Sequence, residues 1–195
     1  MNLQPIKISN IKASLKTTSK PKKLRKFANI LSDYTHRPLT NSFFLLKLHI
    51  NNHTCVVTVY YKGHVNLTGL KSTKELQTIV NVVSNIPGIK KIHSCSIDNI
   101  TGTSILEIGS LFGRSISFSH IVKEIEKEPQ VKTVKYSPQK FPGAFIKLHD
   151  KGTVTLFPSG KFNILGCCTV EKVERLVELT NKLINKQVLS HGCHS

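Results

Sequence analysis

The chain has 195 residues, 39% of them hydrophobic, which supports a packed core and excludes a chain disordered throughout. Lysine and arginine number 28 against 11 acids, a net charge of +17 that calls for a polyanionic partner, nucleic acid first. The 24 lysines against 4 arginines fit an A·T-biased genome, viral or cellular, but codon bias does not explain so few acids.

Residues 6–15 alternate as a strand. Lys20 to Leu31 reads as a short basic helix with Pro21 in its first turn. Phe43–Ile50, Thr54–Tyr60 and Gly63–Thr68 read as three strands joined by tight turns at Asn51-Asn52 and Lys62-Gly63. Ser72 to Ile86 is an amphipathic helix, with Ser72 and Glu75 as a capping box and Leu76, Ile79, Val80 and Val83 as its apolar stripe. Pro87-Gly88 ends it. A strand follows over 91–101 and a helix over 117–128. Strands come next near 131–136, 144–149, 153–157 and 161–165, then a closing helix over 169–185 and a loose tail from Gln187.

The order repeats, and so do the residues. Gly63-His64-Val65-Asn66-Leu67-Thr68-Gly69 returns as Gly160-Lys161-Phe162-Asn163-Ile164-Leu165-Gly166, a shift of 97. Upstream, Val57-Thr58-Val59-Tyr60 falls on Val154-Thr155-Leu156-Phe157; downstream, Ser72, Leu76, Ile79, Val80, Val82 and Ile86 fall on Thr169, Val173, Leu176, Val177, Leu179 and Leu183. Ile8-Ser9-Asn10-Ile11 resembles Ile97-Asp98-Asn99-Ile100 at a shift of 89, so the second half carries an insertion after its first strand. Two long repeats are too few for a solenoid and indicate a duplicated domain with a pseudo-twofold axis, suited to a target that is itself roughly twofold, such as a DNA duplex. The division expected is 6–88, 89–186 and a tail, 187–195.

Strand parity separates two faces. Cys55, Val57, Val59, Val65 and Leu67 belong to the helix-covered face of the first half, and Val154, Leu156, Phe162 and Ile164 to that of the second. Thr58, Tyr60, Asn66 and Thr68, with Thr155, Phe157, Asn163 and Leu165, belong to the other face, left open as a binding or solvated surface.

Two further segments carry a family resemblance: Tyr136-Ser137-Pro138-Gln139-Lys140-Phe141-Pro142-Gly143, and Leu156-Phe157-Pro158-Ser159-Gly160-Lys161 followed by Gly166. Together with Val65-Asn66-Leu67-Thr68-Gly69-Leu70-Lys71, this ordered set resembles the TATA-box-binding protein family over residues 6–185. The resemblance implies an α+β pseudo-twofold saddle, a curved antiparallel sheet with an open concave face and helices on the convex side. It implies a transcription initiation factor that binds the minor groove of A·T-rich promoter DNA, bends it and nucleates a preinitiation complex.

By position in the family, the aromatic wedges are Phe43 and Tyr60 in the first half and Phe141 and Phe157 in the second. Such wedges replace the stacking lost when a base step is opened, at a cost of a few kcal/mol per step. The wedging mechanism belongs to the family, and the resemblance alone implies it for these four residues. Asn10 and Asn99 match the family's paired asparagines, and an Asn suits the acceptors that A·T and T·A share in the minor groove. Lys12, Thr101, Thr58, Thr155, Asn66, Asn163, Thr68 and Leu165 complete the expected groove surface. Phosphate contacts are expected from His49 and Lys147, taken as equivalent strand positions, and from Lys47, Lys62, Lys71, Lys140 and Lys161.

The chain departs from the family's pattern at several places. Asn66 and Asn163 stand where the family has groove-facing valines, and Lys12 replaces another apolar residue; an Asn oxygen could accept from the guanine amine, which implies relaxed A·T selectivity. Ser137 and Gln139 stand at the second stirrup, where the family's acids meet the B-type general initiation factor. Asn41 and Ser42 replace the basic pair of the first stirrup. Expected partners are A·T-rich duplex DNA, B-type and A-type general initiation factors or viral equivalents, and RNA polymerase machinery, with the protein a monomer on DNA.

The five cysteines, Cys55, Cys95, Cys167, Cys168 and Cys193, match no disulfide framework and fit a reducing compartment. Met1 to Ser9 holds no signal-peptide run and no later stretch is apolar enough to span a membrane, so a soluble intracellular protein is expected, nuclear or in a cytoplasmic viral factory. His191-Gly192-Cys193-His194 with Cys167-Cys168 matches no common zinc spacing, and neither metal nor cofactor is expected. Lys22-Lys23-Leu24-Arg25-Lys26 reads as a nuclear-import patch or a solvated helix face. No phosphate loop, carboxylate pair or nucleophile–base set stands out, so the chain is not read as an enzyme. The rival is a nonspecific DNA-binding module or a protein-interaction scaffold that keeps the saddle without bending DNA.

Overall fold

A computed structural model describes residues 3–19, 42–86, 89–107 and 117–192. The expected helix at Lys20–Leu31, the basic patch within it, Asn41, Pro87-Gly88 and Cys193-His194 lie outside the described residues. The elements are β1 (Lys7–Ser19), β2 (Phe43–Ile50), β3 (His53–Tyr60), β4 (His64–Leu70), α1 (Thr73–Ser84), β5 (Ile89–Ile105), α2 (Phe118–Glu126), β6 (Val131–Ser137), β7 (Phe141–Leu148), β8 (Thr153–Leu156), β9 (Lys161–Cys167) and α3 (Val170–Gly192). They group into two compact units, Ser9–Asn99 and Met1–Ile8 with Ile100–Ser195. The division falls inside β5, a strand the sequence assigns whole to the second repeat.

In the first unit the strands run β2–β3–β4–β1, antiparallel throughout. Residues 89–99 of β5 lie beside β1: Ser14 Oγ donates to Asp98 Oδ1 at 2.9 Å and Thr18 Oγ1 to the Lys91 carbonyl at 3.4 Å. Alternation assigns the faces as expected. Phe44, Leu46, Cys55, Val57, Val59, Val65 and Leu67 are buried, and Ile79 and Val83 of α1 are buried with them. Asn51 and Asn52 both have positive φ, 45° and 64°, the two-residue turn whose twist matches a hairpin. Ser72 caps α1 by accepting from the Glu75 amide at 3.3 Å, but the Glu75 carboxylate takes the Lys71 amide, at 2.7 Å, in place of the reciprocal bond to Ser72.

The second unit runs from the end of β5 through β9–β8–β7–β6. Val154, Leu156, Phe162 and Ile164 are buried with Ile121, Val122 and Ile125 of α2 and Val173, Leu176 and Val177 of α3. Gly69 and Gly166, the last residues of the repeated heptad, sit at φ 92° and 82°. A Cβ there would lie 2.6 Å from the Thr54 carbonyl oxygen and 2.8 Å from that of Lys151, so both copies need glycine for space as well as for backbone angle.

Three expectations need correction. The tail is not loose from Gln187, because α3 continues to Gly192. Gln187 is buried and donates to Glu128 Oε1 at 2.6 Å, and Val188 is buried too. The strand placed at 144–149 begins at Phe141, since the Phe-Pro-Gly segment is extended and pairs with β6 through Ser137. Thr155, assigned to the open face, has only 5% of its surface accessible, covered by its neighbours on that face.

Candidate nucleic-acid interface

Among the described residues, one sheet face of each unit is covered by no helix, and aromatic residues gather there. In the first unit Phe43 and Tyr60 are cross-strand partners, ring centroids 5.7 Å apart and tilted. In the second, Phe141 and Phe157 meet edge to face at 5.7 Å, and Phe141 stacks on Phe145 at 5.0 Å. Phe141 and Phe145 are 37% and 41% exposed, unusual for rings this large. Phe145 is absent from the residues picked out by sequence. Its signal was the alternation Ala144-Phe145-Ile146-Lys147-Leu148, which puts the ring on the open face with Lys147.

Strand register corrects which residues match between the repeats. Val59 pairs with Phe44, and its counterpart Leu156 pairs with Ala144. Phe43 therefore corresponds to Gly143, Leu45 to Phe145, and Lys47 to Lys147; His49 corresponds to His149, not to Lys147. The cause is the hairpin. Beyond Lys147↔Thr153 the second hairpin closes within a few residues, through Lys151 at φ 63°, while the first continues to Ile50↔His53. Phe141 fills from two residues upstream the place Phe43 takes directly. A Cβ on Gly143 would lie 2.7 Å from the Phe141 ring and 3.0 Å from that of Phe157, so glycine makes the ring pair possible.

The polar candidates are held in place. Asn10 Oδ1 accepts the Gly69 amide at 2.7 Å. A backbone N–H only donates, so this bond sets the side-chain oxygen inward and leaves the amine to donate elsewhere. Asn163 Oδ1 accepts the Thr103 hydroxyl at 2.9 Å, which leaves Asn66 as the better placed of the two for the expected guanine contact. Thr58, Thr68, Asn66, Asn99, Thr101 and Leu165 are half-buried, and Lys12 is exposed. Asn66 lines an open hollow of about 790 Å³ in the first unit with Ser14, Tyr60, Lys62, His64 and Asp98.

The basic candidates Lys47, His49, Lys62, Lys71, Lys140, Lys147 and Lys161 are all exposed. His49 Nδ1 and the Thr54 hydroxyl share a hydrogen bond at 3.2 Å, and the Lys71 ammonium is bound to the Ser9 carbonyl. Ser137 and Gln139 are exposed where β6 turns into β7.

A family model described as "Transcription factor TFIID (or TATA-binding protein, TBP)" matches residues 5–87 and again 112–187. The chain belongs to the TATA-binding protein family. Among solved structures, the Methanococcus jannaschii TBP matches with a TM-score of 0.71 and 25% identity, over 94% of this chain and 99% of that one. A comparison with curated proteins returned no match. Membership carries the α+β fold of the TATA-binding protein in two repeats, and the coarse role of a DNA-binding transcription factor that works with the transcription machinery. The family is not one of enzymes.

Proposed function

We propose that this TATA-binding-protein-like factor grips the minor groove of A·T-rich promoter DNA, wedges aromatic rings into base steps, and bends the duplex to nucleate a preinitiation complex. One observation carries the reading: each unit gathers large rings on the face that no described helix covers, half-buried at Phe43 and Tyr60 and exposed at Phe141 and Phe145, where a domain without a partner buries such rings. Phe43 with Tyr60, and Phe141 with Phe157, are the wedges, and Phe145 supports Phe141 from beneath. Asn10 and Asn99 donate to the acceptors shared by A·T and T·A. Thr58, Thr68, Thr101, Asn66, Asn163, Leu165 and Lys12 fill the groove, and Thr155 supports it from below. Lysines 47, 62, 140, 147 and 161 and His49 neutralise phosphates, so binding weakens steeply with salt.

Ser137 and Gln139 replace acids at the second stirrup, so the B-type partner is a divergent one, with an A-type factor or an equivalent and a polymerase completing the assembly. The test is DNA bending read by energy transfer on end-labelled TATA-containing and G·C-only duplexes. Strong bending of the TATA duplex, abolished by Phe141→Ala/Phe157→Ala, is expected. Tight binding with no bending would sink the mechanism and leave a basic scaffold.

A further inference from the structure

His53 and Cys55 are two residues apart on β3 and so leave the same face of the sheet. Glu75, in the first turn of α1, meets them, and the three ligand atoms all lie within 4.8 Å of one another. Glu75 and Cys55 are buried, and His53 Nε2 is shielded from solvent with no hydrogen-bond partner.

The proton positions make this cluster incomplete. His53 Nδ1 lies 3.3 Å from the Asn51 carbonyl, and a carbonyl only accepts, so Nδ1 carries the ring proton. Nε2 then presents a lone pair, 3.2 Å from Glu75 Oε2, which is also an acceptor. Two acceptors facing each other need a cation between them: a second proton on the ring, or a metal ion. The thiol of Cys55 supplies a third, softer donor, which a proton does not need and a metal does. The Asn51 carbonyl on Nδ1 and the Lys71 amide on Glu75, at 2.7 Å, are the outer partners that orient metal-binding His and carboxylate side chains.

The other repeat offers a control. The shift of 97 puts Asp150, Gly152 and Lys172 at these positions, and the Lys172 ammonium stands 3.4 Å from Asp150 Oδ1. That copy brings its own cation. The first copy presents three donors, and Lys71, whose charge reaches Cys55, has its ammonium committed to the Ser9 carbonyl.

We propose that His53 Nε2, Cys55 Sγ and the Glu75 carboxylate bind a borderline-soft divalent cation of the zinc class, pinning the β2–β3 hairpin to the start of α1. Tetrahedral zinc, with arms of about 2.0–2.3 Å, sets donors about 3.3–3.8 Å apart, so the cluster closes by about 1.5 Å at most. Burial and the Glu75 charge push the Cys55 thiol up; on binding it gives its proton to solvent, the metal keeps its valence, and water takes the fourth position. Cys55 sits on the covered face of the sheet, so the site is independent of the DNA reading.

The test is a cobalt(II) titration of the full chain carrying Cys95→Ser, Cys168→Ser and Cys193→Ser. A thiolate-to-cobalt charge-transfer band saturating at one equivalent, bleached by zinc, is expected. It should vanish in Cys55→Ser, persist in Cys167→Ser, and need about tenfold more cobalt or worse in His53→Gln, a side chain 19% exposed, with the fold of each variant checked by circular dichroism. Zinc should raise the melting temperature of the parent and not of His53→Gln. The proposal is overturned if the parent shows no such band, or if the band survives Cys55→Ser or is undiminished in His53→Gln.

Discussion

Across one rung of the first unit the covered face carries Phe44, Val59, Val65 and Leu15; across the matching rung of the second it carries Ala144, Leu156, Phe162 and Ser104. All eight are buried. The large ring sits on the outer strand in one copy and two strands further in on the other. The duplication kept one large ring in the layer under the helices but not its place, and the second rung, with Ala144 and Ser104 at its ends, carries less side-chain volume than the first. Charge is not kept either: the place of His53, Cys55 and Glu75 in one copy is that of Asp150, Gly152 and Lys172 in the other, where a lysine stands beside the acid.

This comparison can be broken most forcefully at the rung itself. Phe44→Ala should cost about 3–5 kcal/mol, the usual effect of deleting a buried ring. Adding Val65→Phe moves the first copy toward the second's arrangement and should recover part of that loss, a coupling of about 0.5–3 kcal/mol. Denaturant unfolding of the two singles and the double measures it; strictly additive losses would show that the rung is not a shared volume. The helices differ next. α1 has 12 residues and α3 has 23, the added length being tied down by Gln187, Val188 and the Lys186–Glu128 ion pair at 2.8 Å. Deleting 187–195 should cost about 2–4 kcal/mol, from one buried valine and a hydrogen bond to a charge. A melting curve unchanged by the deletion would return those residues to the status of a loose tail. The smallest effect is expected at the matched lysines. Lys47→Ala and Lys147→Ala should each lower the slope of log affinity against log salt by about 0.9 on TATA DNA, the loss of one phosphate contact. A slope that moves for one and not the other would show the copies gripping the backbone unequally.

Alternation made the faces of β3, β4, β8 and β9 legible, because a period of two leaves no freedom once one face is buried. The heptad ending in Gly69 and Gly166 was legible as a repeat because both glycines meet a carbonyl where no side chain fits. The wedge residues were named from the family pattern, and their clustering on one face is a matter of parity. What stayed hidden depends on register and distance in sequence. The correspondence of Phe43 with Gly143 follows from where a hairpin closes, which spacing alone does not reveal. Phe145 lay inside the expected strand at 144–149, on the parity of Lys147, but no family wedge position pointed to it. The extension of α3 rests on Glu128, far back in the chain, and His53 with Glu75 is a strand–helix contact that no linear motif announces.

Asn10 is fixed by the Gly69 amide and Asn163 by the Thr103 hydroxyl before any ligand arrives. On the proposed reading these are groove residues, and a free side chain at such a place loses about 0.5–1.5 kcal/mol of rotational entropy when it is immobilised in a complex. Here that loss falls on folding instead. The duplex then meets a surface whose polar groups already point one way, and more of their hydrogen-bond energy goes to telling one sequence from another.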